Sequence, residues 1–449
     1  MPANGLPPGP RMPAAAQIAA WIFRPIEFLD ACRKRYGDSF QVTFPGFETP
    51  MVLISHPDHV RELFSEPTHG LPPGRSLALE PILGPRSVLL LEGSDHLARR
   101  KLMLPPFHGS RMRAYEGVID EVVNREVDSW ATDREFPIHP RMQAITLEVI
   151  LRAVFGVSDE RRMRRLRPLL GSLLDATSGR GLQVRFIASQ RLSFVKDPLA
   201  ALRRRQHETD ELLALEVAER RADPDLAERE DILSMLVAAR FEDGEAMSGA
   251  ELRDQLMTLL VAGHETTATA LAWAFDLLLR HPRQLERVRA EISEGENDAY
   301  LRAVVAEALR LRPVVPLAGR RLTKPMALAG HELPAGTDVT PAIWLTNTHS
   351  ATYERPEAFE PERFLDEGPE TYSWIPFGGG VRRCLGAAFA EFEMREVLRI
   401  VLDRCELEAV RAKPEGITRR NITLSPKNGT PVKVRRRSST RPAPTAAPA

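Results

Sequence analysis

Ten residues near the C-terminus place a cysteine among glycines and arginines. They read Phe377-Gly378-Gly379-Gly380-Val381-Arg382-Arg383-Cys384-Leu385-Gly386, directly before a strongly helical segment. A cysteine at a helix start beside cations is stabilised as the thiolate, the form that binds metals. Glycines also let a flat ligand approach the backbone. The run lacks the third glycine of a dinucleotide-binding loop and the Lys-Ser/Thr of a P-loop, so we reject a phosphate site.

A second candidate lies in the middle of a long apolar helix. A capping box at Ser248 and Glu251 opens a helix predicted over about 249–280. Its middle reads Ala262-Gly263-His264-Glu265-Thr266-Thr267. Polar groups inside a buried helix need partners. Taken alone, the motif is explained at least as well by close helix packing at Gly263 and threonine hydrogen bonds to the i−4 carbonyl.

Two further pairs have helical spacing. Glu307 and Arg310 are three residues apart, and His96 and Arg100 are four apart, so each pair shares one face of a helix. An exposed ion pair of this kind contributes only about 0.3–0.5 kcal/mol. Neither pair predicts a function by itself.

The elements that must position these residues are mainly helices. The pattern is mostly helical from about 95 to 300, and 386–404 is a last strong helix. Alternation over 39–54 predicts a hairpin, and 317–345 returns to short strands. We therefore predict a mainly α fold with small β-sheets: a helix-rich body and a smaller β-containing lobe.

Composition and charge exclude several protein classes. The 449 residues carry 61 Lys+Arg and 61 Asp+Glu, so the formal charge is zero and nucleic-acid binding through bulk charge is excluded. The most apolar early stretch, 14–23, is about half the ~20 residues that a membrane span needs, and no signal-type basic segment precedes it. Three scattered cysteines, of which Cys32 and Cys405 look like small buried hydrophobes, indicate a reducing compartment. We expect a soluble, cytoplasmic protein.

Both chain ends have the composition of tails. Residues 1–16 are rich in Pro, Gly and Ala, and 433–449 pass from three arginines into Ser, Thr, Pro and Ala. Such segments bury too little apolar surface to order themselves. We predict one domain over 17–432, between a flexible tail at 1–16 and a disordered tail at 433–449.

Taken together and in order, these segments resemble the cytochrome P-450 superfamily. The run at 377–386 fits its haem-binding signature F-x-x-G-x-R-x-C-x-G at every fixed position. A-G-H-E-T-T at 262–267 resembles the family's oxygen-activating helix motif, and E-A-L-R at 307–310 resembles its E-x-x-R. P-E-R-F at 361–364 is similar to its arginine-bearing segment. The resemblance covers about residues 20–430 and implies the cytochrome P-450 fold around one haem.

The resemblance implies a haem b cofactor with Cys384 as its axial metal ligand. A thiolate pushes electron density onto iron and favours O–O cleavage. Phe377, Gly378 and Gly386 belong to the same cofactor-binding loop.

Several cations are implied to bind the haem propionates. Arg382 matches the signature arginine, and His96 and Arg100 resemble the histidine and arginine of the early propionate-binding helix. Arg320 is similar in placement to a further propionate-binding arginine, with its neighbour Arg321 as the alternative. Arginine suits carboxylates because its planar fork binds them bidentately.

The remaining motifs are implied to serve proton delivery and support. Glu265 and Thr266 fill the acid–alcohol positions that deliver protons during O2 activation, with glutamate replacing the commoner aspartate. Glu307 and Arg310 would join Arg363 in a buried charge cluster. Because the acid–alcohol pair is present, we expect a haem-thiolate monooxygenase that uses O2 as cosubstrate. The alternatives are a haem-thiolate peroxygenase or isomerase, or a non-catalytic haem-binding sensor.

The implied partners are separate redox proteins, most simply a ferredoxin and its reductase. Arg310, Arg312, Arg383 and Arg395 are expected to form a basic docking surface. We expect a monomer without a membrane anchor. The stretches implied to line the cavity are mostly aliphatic, so we expect a small-molecule substrate that is medium-to-large and apolar, of fatty acid, terpenoid or macrolide type. These stretches are 71–91, 259–266, 314–317 and 422–426.

Overall fold

Helices supply most of the chain that the structure describes, as the sequence predicted. The computed structural model describes residues 5–45, 49–66, 79–109, 111–156, 163–164, 166–172, 200–295, 297–420 and 422–437. Its helices are α1 (Ala14–Phe23), α2 (Pro25–Tyr36), α3 (Pro57–Ser65), α4 (Glu80–Leu83), α5 (Gly93–Met103), α6 (Arg111–Ala114), α7 (Glu116–Asp128), α8 (Ile138–Phe155), α9 (Ala200–Ala222), α10 (Ile232–Ala238), α11 (Gly249–Arg280), α12 (Pro282–Glu294), α13 (Ala299–Leu311), α14 (Ile343–Asn347) and α15 (Ala387–Arg404). Within these ranges no helix combines the length and apolarity needed to cross a membrane.

The strands form small separate sheets. They are β1 (Ser39–Val42), β2 (Met51–Ile54), β3 (Glu135–Pro137), β4 (Arg320–Arg321), β5 (Met326–Leu328), β6 (His331–Leu333), β7 (Asp338–Pro341), β8 (Cys405–Ala409), β9 (Ile417–Arg420), β10 (Thr423–Pro426) and β11 (Pro431–Arg436). One sheet has the order β1-β2-β7-β4 and another β3-β11-β8, while β5-β6 and β9-β10 are two-stranded. Antiparallel β1 and β2, with Phe40 opposite Leu53, confirm the predicted hairpin.

Helix α11 is the central helix of the molecule. It spans 32 residues, about 48 Å at 1.5 Å per residue, and Ser248 and Glu251 form the predicted capping box at its start. It packs along α8 and also contacts α13, α15 and β10. Most of its side chains are buried because it is apolar nearly all round. The helix is less completely buried in its middle, where Ala262 is exposed and Thr266 is half-buried.

Apolar packing divides the core into a helical part and a sheet part. Leu260 and Phe275 of α11 pack in one large cluster with Ile145 of α8. Val52 of β2 and Val60 of α3 belong to a smaller cluster beneath the first sheet. Burying each such side chain contributes roughly 1.5–3 kcal/mol. This arrangement confirms the predicted helix-rich body with a smaller β-containing lobe.

The predicted tail boundaries are wrong at both ends. Residues 433–436 are part of β11, where Val434 pairs with Leu407 of β8 and is fully buried. The valines alternate with basic residues, so one strand face is apolar and the other polar. At the N-terminus, Gln41 N–H donates to the carbonyl of Pro8 (3.0 Å), and α1 already begins at Ala14. Residues 1–4 and 438–449 lie outside the described residues.

Candidate functional site

The glycine-rich segment before α15 forms a tight loop around Cys384. Gly378 and Gly380 have left-handed backbones (φ +67° and +62°), which residues with a Cβ adopt with strain. A Cβ on Gly379 would lie 2.3 Å from the Phe64 ring, so only glycine fits there. Cys384 N–H donates to the Phe377 carbonyl (2.9 Å), which closes the loop three residues before α15 begins.

Cys384 differs from the other cysteines in accessibility. Cys32 and Cys405 are buried, whereas Cys384 keeps accessible surface, and all three thiols are free. Protein atoms nevertheless crowd around its sulfur, and this desolvation raises the pKa of the Cys384 thiol. The Gly386 N–H, Arg383 and Arg100 oppose this rise, as predicted, but they do not outweigh it. A stable thiolate therefore needs a stronger cation, such as a coordinated metal.

Three arginines and a histidine converge beside this loop. His96 and Arg100 lie on α5, Arg320 lies on β4 and Arg382 lies in the loop. Burial and the three arginines together lower the pKa of His96 to about 4. The buried His96 Nδ1 has no hydrogen-bond partner among the described residues. Burial also lowers the pKa of Arg320 and of Arg382 to about 10.

These cations fit the carboxylates of a haem. Buried positive charges are unfavourable unless anions compensate them, and two propionates would do so. Arg320 Nη2 donates to the Gly379 carbonyl (3.1 Å) and Arg382 Nη2 to the Leu91 carbonyl (2.6 Å), which fixes both guanidinium groups at the loop. Arg321 instead pairs with Asp338 at 3.0 Å and is half exposed. The structure thus places Arg320, not the alternative Arg321, in this cluster.

The middle of α11 shows the close packing and the threonine hydrogen bond that the sequence allowed, and it also carries Glu265 and Thr266, the expected acid–alcohol pair. Thr266 Oγ1 donates to the Ala262 carbonyl (2.6 Å). A Cβ on Gly263 would lie 3.0 Å from Ile150 Cδ1, so this glycine lets α8 pack closely. Ala262 itself is exposed although the helix is central. Because the Thr266 hydroxyl proton is used by the helix, its oxygen can accept a hydrogen bond from an incoming water.

Glu265 is held by residues that the sequence did not single out. Its Oε2 accepts from Gln143 Nε2 (2.6 Å), and its Oε1 lies 3.7 Å from both His139 Nε2 and Arg420 Nη1. Burial, together with Arg420 and His264, lowers the pKa of His139 to about 3, so its ring is neutral. Arg420 is partly exposed and leads from this buried cluster toward solvent. In the sequence, the sign of this polar cluster was the pair His139 and Gln143, which are four residues apart on the otherwise apolar α8.

Glu307, Arg310 and Arg363 form the predicted buried charge cluster. Arg310 Nε and Nη2 donate to the two Glu307 oxygens at 2.6 and 2.8 Å, and Arg363 Nε lies 3.2 Å from Glu307 Oε1. The remaining Arg310 protons go to the carbonyls of Asn347, Pro356 and Ala358. The cluster therefore ties α13 to the chain that leads into the glycine-rich loop.

We predict that Glu307→Gln lowers the free energy of unfolding by about 3–5 kcal/mol, because it leaves the fully buried Arg310 without its counter-charge. Urea unfolding followed by circular dichroism measures the change. The matched control is Glu242→Gln, which breaks the exposed pair with Lys101 and should leave the urea midpoint essentially unchanged. Equal small effects of both substitutions would contradict a supporting role for the cluster.

Comparison with known proteins places the chain in a family. Residues 5–434 match the family model for cytochrome P450. A putative cytochrome P450 135B1 of Mycobacterium tuberculosis is 42% identical over 438 residues, 96% of this chain and 92% of the relative. A putative cytochrome P450 137 of the same organism is 40% identical over 442 residues, again 96% and 92%.

Solved structures agree with the sequence relatives. The retinoic acid-bound cyanobacterial CYP120A1 is 25% identical with a TM-score of 0.83, covering 96% of this chain and 99% of that one. The haem domain of cytochrome P450DA shares the fold with a TM-score of 0.85 at 23% identity, covering 96% and 98%. The chain therefore belongs to the cytochrome P450 family of haem b monooxygenases that use O2.

Proposed function

We propose that this enzyme inserts one oxygen atom from O2 into a medium-to-large apolar substrate, with Cys384 as the thiolate ligand of the haem iron. The observation that carries the proposal is the accessible Cys384 thiol in a closed glycine loop beside three converging arginines and the buried His96. When bound, haem supplies the iron centre at which O2 is activated. Phe377, Gly378 and Gly386 shape the loop that brings Cys384 to that centre.

His96, Arg100, Arg320 and Arg382 bind and orient the cofactor in this proposal. The unpartnered His96 Nδ1 and the guanidinium groups are donors that match carboxylate oxygens. Pairing with propionates would relieve the mutual repulsion of the three guanidinium groups. Haem binding should therefore stabilise the fold, and the fold in turn holds the cofactor. The buried cluster also fixes the cofactor's orientation relative to Cys384.

Glu265 and Thr266 deliver protons in this proposal. Arg420 connects Glu265 Oε1 toward solvent, while Gln143 holds Oε2. Glu265 passes a proton to a water that is hydrogen-bonded to Thr266 Oγ1, and general acid catalysis of this kind contributes about 10²–10⁴-fold to rate. The neutral His139 ring limits competition for that proton, because it stays uncharged well below pH 7.

An apolar substrate is supported by the surfaces near the acid–alcohol pair. Leu259, half-buried, and Ala262, exposed, are apolar residues of α11 within seven residues of Thr266. Leu424 N–H donates to the Val314 carbonyl (2.7 Å), which brings two of the stretches expected to line the cavity together. Residues 71–78, part of a third stretch, lie outside the described residues. The cyanobacterial relative binds retinoic acid, which also favours an apolar ligand.

Electrons come from a separate ferredoxin and its reductase in this proposal, but the expected basic surface needs correction. Arg310 is fully buried and cannot dock a partner. Arg395 is paired with Asp298, which weakens its field. Arg383 remains exposed beside Cys384.

We expect the rate of reduction by an acidic ferredoxin to fall as salt rises from about 0.05 to ~0.5 M, because salt screens exposed charges. A rate that does not change with salt would contradict electrostatic docking.

The proposed function is tested by the stoichiometry of the reaction. A library of lipids and terpenoids is first screened for ligands that shift the Soret band of the haem-loaded enzyme. A responding ligand is then incubated with NAD(P)H, O2, ferredoxin and reductase, and we expect nearly equal consumption of both cosubstrates per product. Product formed with peroxide alone would favour a peroxygenase, product without any oxidant an isomerase, and no product at all a sensor.

A further inference from the structure

A cavity of about 290 Å³ lies at the C-terminal end of α11. It is bounded by the last turn of α11, the first turn of α12, the end of α13 and the segment 357–360, and we call it the α11–α13 cavity. Leu277 in its wall is eleven residues beyond Thr266, about 16 Å along the helix axis at 1.5 Å per residue. Ligand pockets in proteins begin at about this size, ~300 Å³. The cavity can therefore hold a small molecule without using any residue of the proposed haem site.

Arg312, directly after α13, brings a guanidinium group without a close counter-ion to the α11–α13 cavity. Among the described residues this group forms no ion pair and makes one hydrogen bond, from Nη1 to the Leu311 carbonyl (2.9 Å). Its Nε is buried without a partner there. The acid that acts on it electrostatically, Asp276, forms its ion pair with Arg280 instead (2.9 Å). A largely buried cation in this situation favours an anion as its partner.

Two indole rings hold the Arg312 guanidinium in place. Its Cζ lies 5.6 Å from the ring centroid of Trp273 and 5.9 Å from that of Trp344. Cation–π contacts of this kind stabilise a planar cation over an aromatic face. The sequence predicted Arg312 on a basic docking surface, whereas the structure has it half-buried in the wall of the cavity. This position suits the binding of a small anion better than the docking of a protein.

The other charged groups of the cavity wall are compensated, with Glu357 as the exception. Arg280 is paired with Asp276, and Glu360 accepts from Arg363 Nη2 (2.9 Å). Glu357 is exposed and forms no ion pair within the described part of the chain. The first turn of α12 also borders the cavity, and the positive end of its helix dipole favours negative charge. The balance therefore favours an anion beside Arg312, with Glu357 as the opposing charge.

The rest of the wall is apolar or aromatic. Leu277, Leu311 and Phe359 are buried side chains that border the cavity, and Pro414 also lines it. The His281 ring packs on Phe359 with the two centroids 5.0 Å apart, and its Nδ1 donates to the Leu277 carbonyl (2.7 Å), which fixes the ring. Such surfaces suit a flat apolar body.

We propose that the α11–α13 cavity binds a small monocarboxylate that carries an apolar, aromatic-sized body. The carboxylate accepts hydrogen bonds from Arg312, because a planar guanidinium matches two carboxylate oxygens. The body packs against Leu277, Leu311 and Phe359. The site goes beyond the proposed function, because it uses neither the haem-binding residues nor the acid–alcohol pair.

The class of ligand is tested by calorimetric titration of the haem-loaded enzyme with 3-phenylpropionate, 3-phenylpropanamide and propionate. The amide keeps the shape without the charge, and propionate keeps the charge without the ring. We expect saturable binding of 3-phenylpropionate with a Kd below about 10 mM, and binding at least about tenfold weaker for the other two. Equal affinity for the amide would overturn the choice of an anion, and no saturable binding of 3-phenylpropionate would overturn the site.

Three substitutions test the charges of the cavity wall. Arg312→Gln should weaken 3-phenylpropionate at least about tenfold, because a hydrogen bond to a charged group is lost. The matched control is Arg283→Gln, which removes an exposed arginine of the first turn of α12 that does not line the cavity, and it should change the affinity by less than about twofold. Glu357→Gln should strengthen binding by about twofold, because it removes a like charge. Weaker binding in Glu357→Gln, or equal losses in Arg312→Gln and Arg283→Gln, would overturn the proposal.

Gln284→Trp tests the location of the ligand independently of Arg312, including the case in which Arg312→Gln fails to fold. Gln284 lines the cavity from the first turn of α12, and its side chain makes no hydrogen bond within the described part of the chain. A tryptophan there fills the cavity and leaves the guanidinium in place. We expect the loss of 3-phenylpropionate binding, with a circular dichroism spectrum like that of the wild type. Binding that survives at wild-type affinity in the folded variant places the ligand elsewhere, such as the substrate cavity, and overturns the proposal.

Discussion

Cys384→Ala should abolish the thiolate-type Soret band of the reduced CO complex. The band requires a thiolate ligand on the haem iron, which Cys384 would supply and alanine cannot. Haem content, measured separately by extraction, should fall less than the band, because in the proposed function His96, Arg100, Arg320 and Arg382 would still bind the propionates.

Cys32→Ala and Cys405→Ala are the matched controls for this experiment. Both thiols are buried away from the glycine-rich loop, and burial raises the pKa of Cys32 to about 11. Their variants should keep the wild-type band. A thiolate band that survives in Cys384→Ala, or that disappears in either control at full haem content, would show that the ligand is misassigned.

Thr266→Ala should uncouple NAD(P)H consumption from product formation by about tenfold or more. In the proposed function the Thr266 hydroxyl orders the proton-donating water, and the substitution removes it. General acid steps contribute about 10²-fold or more to rate. Reducing equivalents should then leave as hydrogen peroxide. Product and peroxide are assayed against NAD(P)H consumed, at equal haem content. Folding should survive, since the lost hydrogen bond is a local one to the Ala262 carbonyl.

Thr267→Ala is the control for position along the helix. Thr267 is the next residue, about 100° around the helix, and it is buried. It should stay as well coupled as the wild type. If Thr267→Ala uncouples the reaction and Thr266→Ala does not, the alcohol is misassigned by one position. If neither uncouples it, the peroxygenase or isomerase alternative becomes the better account.

Local sequence signals were sufficient to predict the helices and the loop that carry the chemistry. The capping box gave the start of α11, and the Gly/Arg frame around Cys384 gave a loop with the left-handed glycines that a close approach needs. The spacing of apolar residues was enough to predict a mainly helical fold with a few short strands. The resemblance then connected His96 with Arg382 and Cys384, although His96 is far from that loop in the chain and meets it only in the fold.

Contacts between distant segments could not be predicted in the same way. Gln143 and Arg420 meet Glu265 only in the fold, because α8 packs against α11 and β9 is paired with β10, which contacts α11. The spacing of His139 and Gln143 on α8 was the one signal in the sequence, and Arg420 had none. The valine alternation in β11 was hidden by a basic, tail-like composition, because its partner strand β8 supplies the burial. Arg310 was expected both in a buried charge cluster and on a docking surface. Glu307 and three backbone carbonyls satisfy it in the interior, so only the first expectation is confirmed.

The most direct test of the proposed monooxygenase activity is the source of the oxygen atom in the product. The haem-loaded enzyme, a ferredoxin, its reductase, NAD(P)H and a ligand that shifts the Soret band are incubated under ¹⁸O2 in ordinary water, and the product is analysed by mass spectrometry. We predict one ¹⁸O atom per product molecule. A product that carries no label, or that forms equally well without O2 when unlabelled peroxide is supplied, would contradict oxygen insertion from O2.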